Sequence, residues 1–583
     1  MSKRAVTSWL RSFGTVAGGS AKRVSSGTRH VLQQSYTKQW TRLASNTARR
    51  PRPILLTAGA GALSTVLLLG LCPTPREGRE TTGQLEASSS APPSWPRYRL
   101  SEIKQHGADS ERPWVTYAGS VYDVTDWVAA HPGGEVLLRA AGGAVEPYWD
   151  IFSIHKQHLE DVLAILEGYK VGEVGEVDEV DRHHLSGGVV DDPFQDDPIR
   201  DPRLRTLTER PRNAETPVEG LTDFITPTEL FYVRNHMWVP AVEEAAAAEH
   251  IVIFETLDGE ERAYTLQELR ERFPIHKVSA TLQCAGNRRK DMTERAGKTN
   301  GLQWTAGAVS TAEWEGVLLR DVIADVTGSH NAVADGRLTG VKHVHFVGLE
   351  AYAASIPISK ALDPSGDVLL AFGMNGEPLT RDHGFPVRAV VPGNVAARSV
   401  KWLRRVTLSD EESSSQWQQR DYKTFCPSAG PDPDWSSAPA IQEMPVTSAI
   451  RAVKMEEPSQ GSGEGKTIRA EGYAYSGGGR EIVRVDVSTD GGRTWRPANL
   501  IDDAASGKKA WCWKRWRYEG LVTDDRDEGA QREDERVIDF VVKATDEAYN
   551  TQPESYESIY NVRGNLATAW HRIEIGRSER VSD

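Results

Sequence analysis

Apolar and polar residues alternate at period two through Val483-Arg484-Val485-Asp486-Val487, and Asp490-Gly491-Gly492 follows before Thr494-Trp495. Such alternation lays one face of a strand on a core, and an Asp-Gly pair supplies a hairpin turn. Repeated across the last third of the chain, the pattern predicts a β-sandwich over residues 440–575. Between Pro202 and Leu408 the pattern is mixed. Leu266 to Phe273 and Trp314 to Val326 carry helix-spaced apolar positions, whereas Val344 to Val347 and Val387 to Val391 are short strand-like runs. Ser279 to Gln283 reads as a strand end and Gly286-Asn287 as the bend after it. Together these predict an α+β domain. Trp95 to Val174 is apolar enough for a separate compact domain. In it a helix ends near Val128 at the Pro132-Gly133-Gly134 turn, which leaves His131 on a loop, and a helical run passes through Leu137, Leu138 and Ala141. Residues 73–94, rich in Ser, Pro, Gly and Thr, read as a flexible linker. The acidic stretch 175–201, with Asp191-Asp192 and Asp196-Asp197, has too few apolar residues to pack and is expected to be mobile. There is no internal repeat.

Charge sharpens the picture at the N-terminus. No Asp or Glu precedes Glu77, while Lys, Arg, Ser and Thr are abundant. That composition predicts a mitochondrial presequence over residues 1–53. The uncharged run from Ile54 to Cys72 is just long enough to cross a bilayer. The two together predict a bipartite signal, with 54–72 as a hydrophobic sorting segment that delivers the protein to the intermembrane space; the alternative is a retained single-span anchor. The net charge of −13 disfavours nucleic acid as a partner and suits a basic protein partner. Four cysteines (Cys72, Cys284, Cys426 and Cys512) have no paired spacing, so neither a disulfide framework nor a zinc site is indicated.

Two places carry candidate chemistry. In Thr281-Leu282-Gln283-Cys284-Ala285-Gly286-Asn287-Arg288-Arg289 a cysteine sits beside two arginines at a turn. A thiolate near fixed positive charge is ready for a soft metal, and arginine forks suit an oxyanion, although one cysteine by itself defines no metal site. His131 on its loop and His155 after Ser153-Ile154 are two imidazoles fit to close an apolar slot around a haem iron from both sides; His158 is the alternative second ligand. Filling both axial positions with histidine leaves the iron only electrons to pass.

The segment around His131-Pro132-Gly133-Gly134 and His155 resembles cytochrome b5. The run from Leu282 to Arg289 resembles the molybdenum-ligand segment of the sulfite oxidase family, which includes the assimilatory nitrate reductases. The likeness continues in Tyr232-Val233-Arg234-Asn235-His236, Asp382 to Arg388, Ser399 to Leu403, Arg420 to Lys423 and Tyr560 to Gly564, in family order. The resemblance implies an α+β multidomain fold: a b5-like haem domain (95–174), a molybdopterin-binding catalytic domain (202–409) and an immunoglobulin-like dimerisation β-sandwich (410–575). It implies two cofactors, molybdenum-molybdopterin and haem b. His131 and His155 would ligate the haem, and Cys284 the molybdenum. Tyr232, Val233, Arg234, Asn235, His236, Glu350, His383, Arg388, Ser399, Val400 and Lys401 would hold the pterin and phosphate. Glu350 stands where relatives carry an aspartate. Arg234, Arg289 and Arg563 would bind the substrate anion, in a pocket lined by Trp304 and Tyr422, with Asp421 orienting nearby arginines. The implied reaction is oxidation of sulfite to sulfate, with electrons leaving through the haem to cytochrome c. Glu135, Glu146, Asp150, Glu160 and Asp161 lie near the haem ligands and suit docking of that basic partner. Two alternatives remain: a nitrate reductase-like enzyme, in which the haem module would follow the core instead of preceding it, and a b5-type electron carrier with a docking scaffold.

Overall fold

The computed structural model describes residues 95–128, 131, 134–151, 155, 159–175, 192–430, 433–456, 467–521 and 538–575. The presequence, the apolar run 54–72, the linker 73–94 and His158 lie outside the described residues. Among the described residues no helix is long and apolar enough to cross a membrane.

The first domain is a five-stranded sheet in the order Arg97–Tyr98, Lys170–Val174, Ser120–Asp123, Trp114–Tyr117 and Gly143–Ala144. Helices Glu146–Ile151 and Leu159–Glu167 pack on it around Val115, Val124, Val145, Trp149 and Leu166. The run through Leu137 and Leu138 forms a 3-10 helix, Gly134–Ala140. Ahead of His131 the Val128 N–H donates to Val124 O and the His131 N–H to Trp127 O, each four residues back, while residues 129, 130, 132 and 133 lie outside the described residues.

The middle of the chain holds two five-stranded sheets. One runs Glu261–Thr265, Ile251–Glu255, Leu403–Ser409, His343–Gly348 and Ala353–Pro357, so its central strand comes from the far end of the domain. The other is built on Ile275–Gln283, Val309–Leu318 and Leu369–Met374, with Arg388–Val390 paired to the last. Leu266–Arg272 is the expected helix, started by a capping box between Thr265 and Glu268. Trp314 to Val326 departs from expectation. Only Leu319–Thr327 is helical, and Trp314 to Leu318 ends the strand Val309–Leu318. That strand is central and covered on both faces, so its apolar residues do not alternate and mimic a helical stripe. Gly316 marks a bulge there, where a methyl group would come within 2.2 Å of Leu370 O.

The last third is two four-stranded sheets face to face. Thr447–Glu456, Thr467–Tyr475, Lys514–Leu521 and Asn499–Ile501 form one; Arg496–Pro497, Ile482–Ser488, Ile538–Asp546 and His571–Ile575 form the other. The Asp490 carboxylate tightens the turn between Ile482–Ser488 and Arg496–Pro497 by accepting from the Arg493 and Thr494 N–H groups, both at 2.9 Å.

The expectation that residues 175–201 lack packing partners is corrected for their last part. Phe194 is buried, and Arg200 makes a two-pronged pair with Asp382 at 2.8 and 2.9 Å while also binding Asp197. One buried aromatic and the ion pairs of Arg200 dock this stretch, too few apolar positions for composition to show it.

Candidate functional site

The strand Ile275–Gln283 delivers Cys284 to a turn in which the Asn287 N–H donates to Cys284 O and the Gly286 N–H points at Cys284 Sγ, 3.4 Å away. Arg288 follows with φ +63, a left-handed residue before the helix Arg289–Ala296. This costly conformation is over-determined by side-chain bonding. The Arg288 guanidinium, 1% exposed, donates to Ser448 O, Ala569 O, Trp570 O, Tyr556 Oη and Asp291 Oδ2, so four of its five partners come from the last third of the chain. Leu566 N–H donates to Ala285 O from the same direction. The sandwich thus folds back onto the Cys284 turn, as the position of Arg563 required.

Beside Cys284 opens a cavity. Of the residues expected to hold a cofactor, its wall includes Tyr232, Arg234, Asn235, His236, Cys284, Glu350, His383, Arg388, Ser399, Val400 and Lys401; Tyr422 lines it too. Val233 does not line it: it is buried in a small cluster with Leu204 and Ala214. Asp382, Tyr352 and Trp402 are wall residues that the sequence reading did not assign. Asp382 and Trp402 lay inside motifs already in hand, whereas Tyr352, stacked on His236 at 4.6 Å, carried no local signal.

The cations on the wall are held by neutral oxygens. Lys401 Nζ donates to Arg234 O at 3.1 Å, Asp382 O at 2.8 Å and Asn235 Oδ1. Arg388 donates to His383 O at 3.0 Å and Ser399 O at 2.8 Å. Burial brings Lys401 down to about 7 and Arg388 to about 10. Burial also holds His383 at about 4 and His236 well below its ordinary value, aided for His236 by Arg234 and Lys401, so both imidazoles are neutral at pH 7. The Asp382 carboxylate on the wall is taken up by Arg200, so the guanidinium of Arg388 and the ammonium of Lys401 are left with neutral acceptors, as a phosphate-binding wall requires. Glu350 is the counterpart. Burial raises its carboxyl to about 8, and its Oε2 is buried without a hydrogen-bond partner. A carboxyl with an unsatisfied oxygen among the lining residues suits the N–H donors of a pterin, and Cys284 offers the wall a thiol for a soft metal. The donor set therefore fits the molybdopterin cofactor that the resemblance implies.

Arg289, Arg563 and Trp304 are not on this wall. Arg289 lies in a slot between Gly286 and Gly301, where a methyl group would come within 2.4 and 2.8 Å of its guanidinium. It donates to Leu302 O at 2.6 Å and to Asn565 Oδ1. Arg563 donates to Asp421 Oδ1 at 2.6 Å; burial opposes its charge, but Asp421 outweighs this and raises its pKa. Tyr422 Oη and His236 Nε2 share a hydrogen bond of 2.9 Å, and burial pushes the phenol up to about 12. Arg289 and Tyr422 each feel the charges of Cys284, Arg234, Arg563 and Asp421. Trp304 is buried in the cluster that also contains Cys284 and Tyr232, so it packs behind the turn.

In the first domain the rings of His131 and His155 are parallel within 4° and their centroids are 5.9 Å apart. Two parallel imidazoles this close suit a single iron held between them. Trp149 stacks on His155 at 5.5 Å. This domain meets the core where Arg139 lies 5.0 Å over the Trp238 ring, two residues along from His236.

Comparison with known proteins matches residues 99–175 to the family described as "Cytochrome b5-like Heme/Steroid binding domain". Residues 236–417 match "Oxidoreductase molybdopterin binding domain", and residues 438–578 match "Mo-co oxidoreductase dimerisation domain". The chain is 48% identical over 489 residues to the sulfite oxidase of Gallus gallus, covering 82% of this chain and 100% of that protein. It is 43% identical over 489 residues to the mitochondrial sulfite oxidase of Homo sapiens, covering 82% and 84%. Among solved structures, the sulfane dehydrogenase SoxCD from Paracoccus pantotrophus aligns with a TM-score of 0.50 at 26% identity, over 69% of this chain and 97% of that one.

Proposed function

The chain belongs to the sulfite oxidase family, and on that footing we propose how its residues carry out the oxidation of sulfite to sulfate. The enzyme uses molybdenum-molybdopterin and a b-type haem, acts on sulfite, is mitochondrial and forms homodimers. When bound, the molybdenum centre would supply oxygen-atom transfer and the haem one-electron transfer.

Cys284 would hold the metal, Arg234, Arg388 and Lys401 the phosphate, and Asn235, Glu350 and His383 the pterin edges. Arg289 and Arg563, with Arg234, draw the sulfite dianion toward Cys284 and orient it, since several fixed cations in a dry site bind an anion far better than in water. Tyr422, held protonated, has an O–H to give to a substrate oxygen, and neutral His236 fixes where it points. Asp421 keeps Arg563 charged and aimed. His131 and His155 would ligate the haem iron from opposite sides, and the Arg139–Trp238 contact brings that domain beside the cavity wall.

The observation that carries this reading is the Cys284 thiol on a wall of buried cations and one unsatisfied carboxyl. We further assign cytochrome c as the acceptor, because Asp150 and Glu160 are exposed next to the haem slot, and the intermembrane space as the compartment. Purified holoenzyme given sulfite should form sulfate while reducing cytochrome c. Turnover of nitrate in its place would overturn the reading. Protease protection in fractionated mitochondria tests the compartment, and recovery in the matrix would refute it.

A further inference from the structure

We infer that Asn565 is a specificity-determining positioning residue: by holding Arg289 through a neutral amide, it leaves that guanidinium's charge free for the substrate dianion. The inference deepens the proposed function and rests on Arg289 as an anion-binding residue. The two arginines beside Cys284 are held differently. Arg563 has a carboxylate partner, Asp421 at 2.6 Å. Arg289, 8% exposed, donates Nε to the Asn565 side-chain oxygen and Nη1 to the Leu302 carbonyl. Neither acceptor carries charge. Burial lowers Arg289 to about 10, with repulsion from Arg563 and Arg234 set against attraction from Cys284 and Asp421.

Asn565 is built for this task. It is 1% exposed with φ +57, a left-handed conformation that asparagine tolerates better than most residues. Its N–H donates to Asn561 Oδ1 at 2.9 Å and its Nδ2 to Asn561 O at 3.0 Å. With Nδ2 so engaged, the side-chain oxygen has to face Arg289. Asn561 returns a bond from its own Nδ2 to Asn565 O at 2.9 Å, closing a pair of asparagines behind the arginine. The Gly286–Gly301 slot fixes the guanidinium from the sides, so the acceptor at its end decides how much positive charge the site presents. An aspartate of the same shape would cancel that charge. A doubly charged anion gains most from its remaining uncancelled.

The test uses holoenzyme with ferricyanide as acceptor and follows kcat, KM for sulfite and the inhibition constant for sulfate, with molybdenum and haem content measured for every variant. Asn565→Asp should raise the sulfite KM and the sulfate inhibition constant at least about tenfold, with a several-fold smaller change in kcat. Asn565→Ala, which removes the acceptor without adding charge, should raise both less than Asn565→Asp does. If Asn565→Asp does not fold, the double variant Arg289→Gln with Asn565→Ala decides. It should lose no more sulfite affinity than Arg289→Gln alone, because Asn565 acts through that arginine. Additive losses, or equal KM values for the Asp and Ala variants, overturn the inference. An unchanged sulfite KM in Arg289→Gln would instead overturn the anion-binding reading beneath it.

Discussion

Replacing Arg288 by methionine should detach the Cys284 turn from the sandwich that supports it. Methionine matches much of the aliphatic stem, so the loss is in bonding. The guanidinium pairs with Asp291 at 3.1 Å and also donates to three carbonyls and a phenol. Removing one partner of a buried ion pair costs roughly 3–5 kcal/mol because the other charge is left behind. Asp291 would be that charge: burial opposes its ionisation, and Arg288 is the first of the groups that hold it ionised. Tyr556 still donates to it, and Gln552 still serves Ala569 O, so some cost is recovered. Each kcal/mol moves the midpoint of a domain of this size by about 2–4 °C, so the molybdenum-binding part should melt on the order of 10 °C earlier. Molybdenum content should fall with it. Scanning calorimetry and metal analysis on the full-length protein give both numbers, and the haem spectrum serves as the internal control because His131 and His155 lie in the other domain. Arg288→Lys should fall between, since one ammonium cannot reach all five acceptors. A midpoint within about 2 °C of wild type together with full molybdenum content would refute the clamp.

Cys284→Ser exchanges a soft thiolate for a hydroxyl; sulfite turnover should collapse while the pterin is retained, as read by its fluorescence after release. His155→Ala should abolish the low-spin haem spectrum and cytochrome c reduction but keep sulfite oxidation with ferricyanide; an unchanged spectrum would point to His158 instead. His571 is buried and held at about 3, chiefly by burial, with Nδ1 accepting from the Ile450 N–H at 2.8 Å. The unfolded chain therefore takes up this proton first, so stability is full above about pH 6.5 and falls by roughly 2 kcal/mol on going to pH 5; denaturant midpoints at the two pH values should show the loss, and His571→Gln should flatten it.

Much of the site was legible because its motifs are local. Cys284 and Arg289 share one turn, and Tyr232 to His236 form one short run. What stayed hidden acts across the chain. Arg288 reads in the sequence as half of an arginine pair, yet four of its five partners are Ser448, Tyr556, Ala569 and Trp570, and no local pattern links them. Asn565 reaches Arg289 the same way. Trp314 was read as helical because a strand covered on both faces loses its alternation. Arg200 reads as linker in the sequence because ion pairs with Asp382 and Asp197 hold it in place of an apolar face.

The central claim is that electrons from sulfite enter at Cys284 and leave through the haem held by His131 and His155. Stopped-flow mixing of oxidised holoenzyme with sulfite, without oxygen or added acceptor, tests it in one trace. The haem Soret band should shift to its reduced form within the time of a turnover, and Cys284→Ser with its haem intact should show no shift. A haem that stays oxidised in the molybdenum-loaded wild-type protein while sulfate forms, or one that is reduced equally fast in Cys284→Ser, would contradict the account.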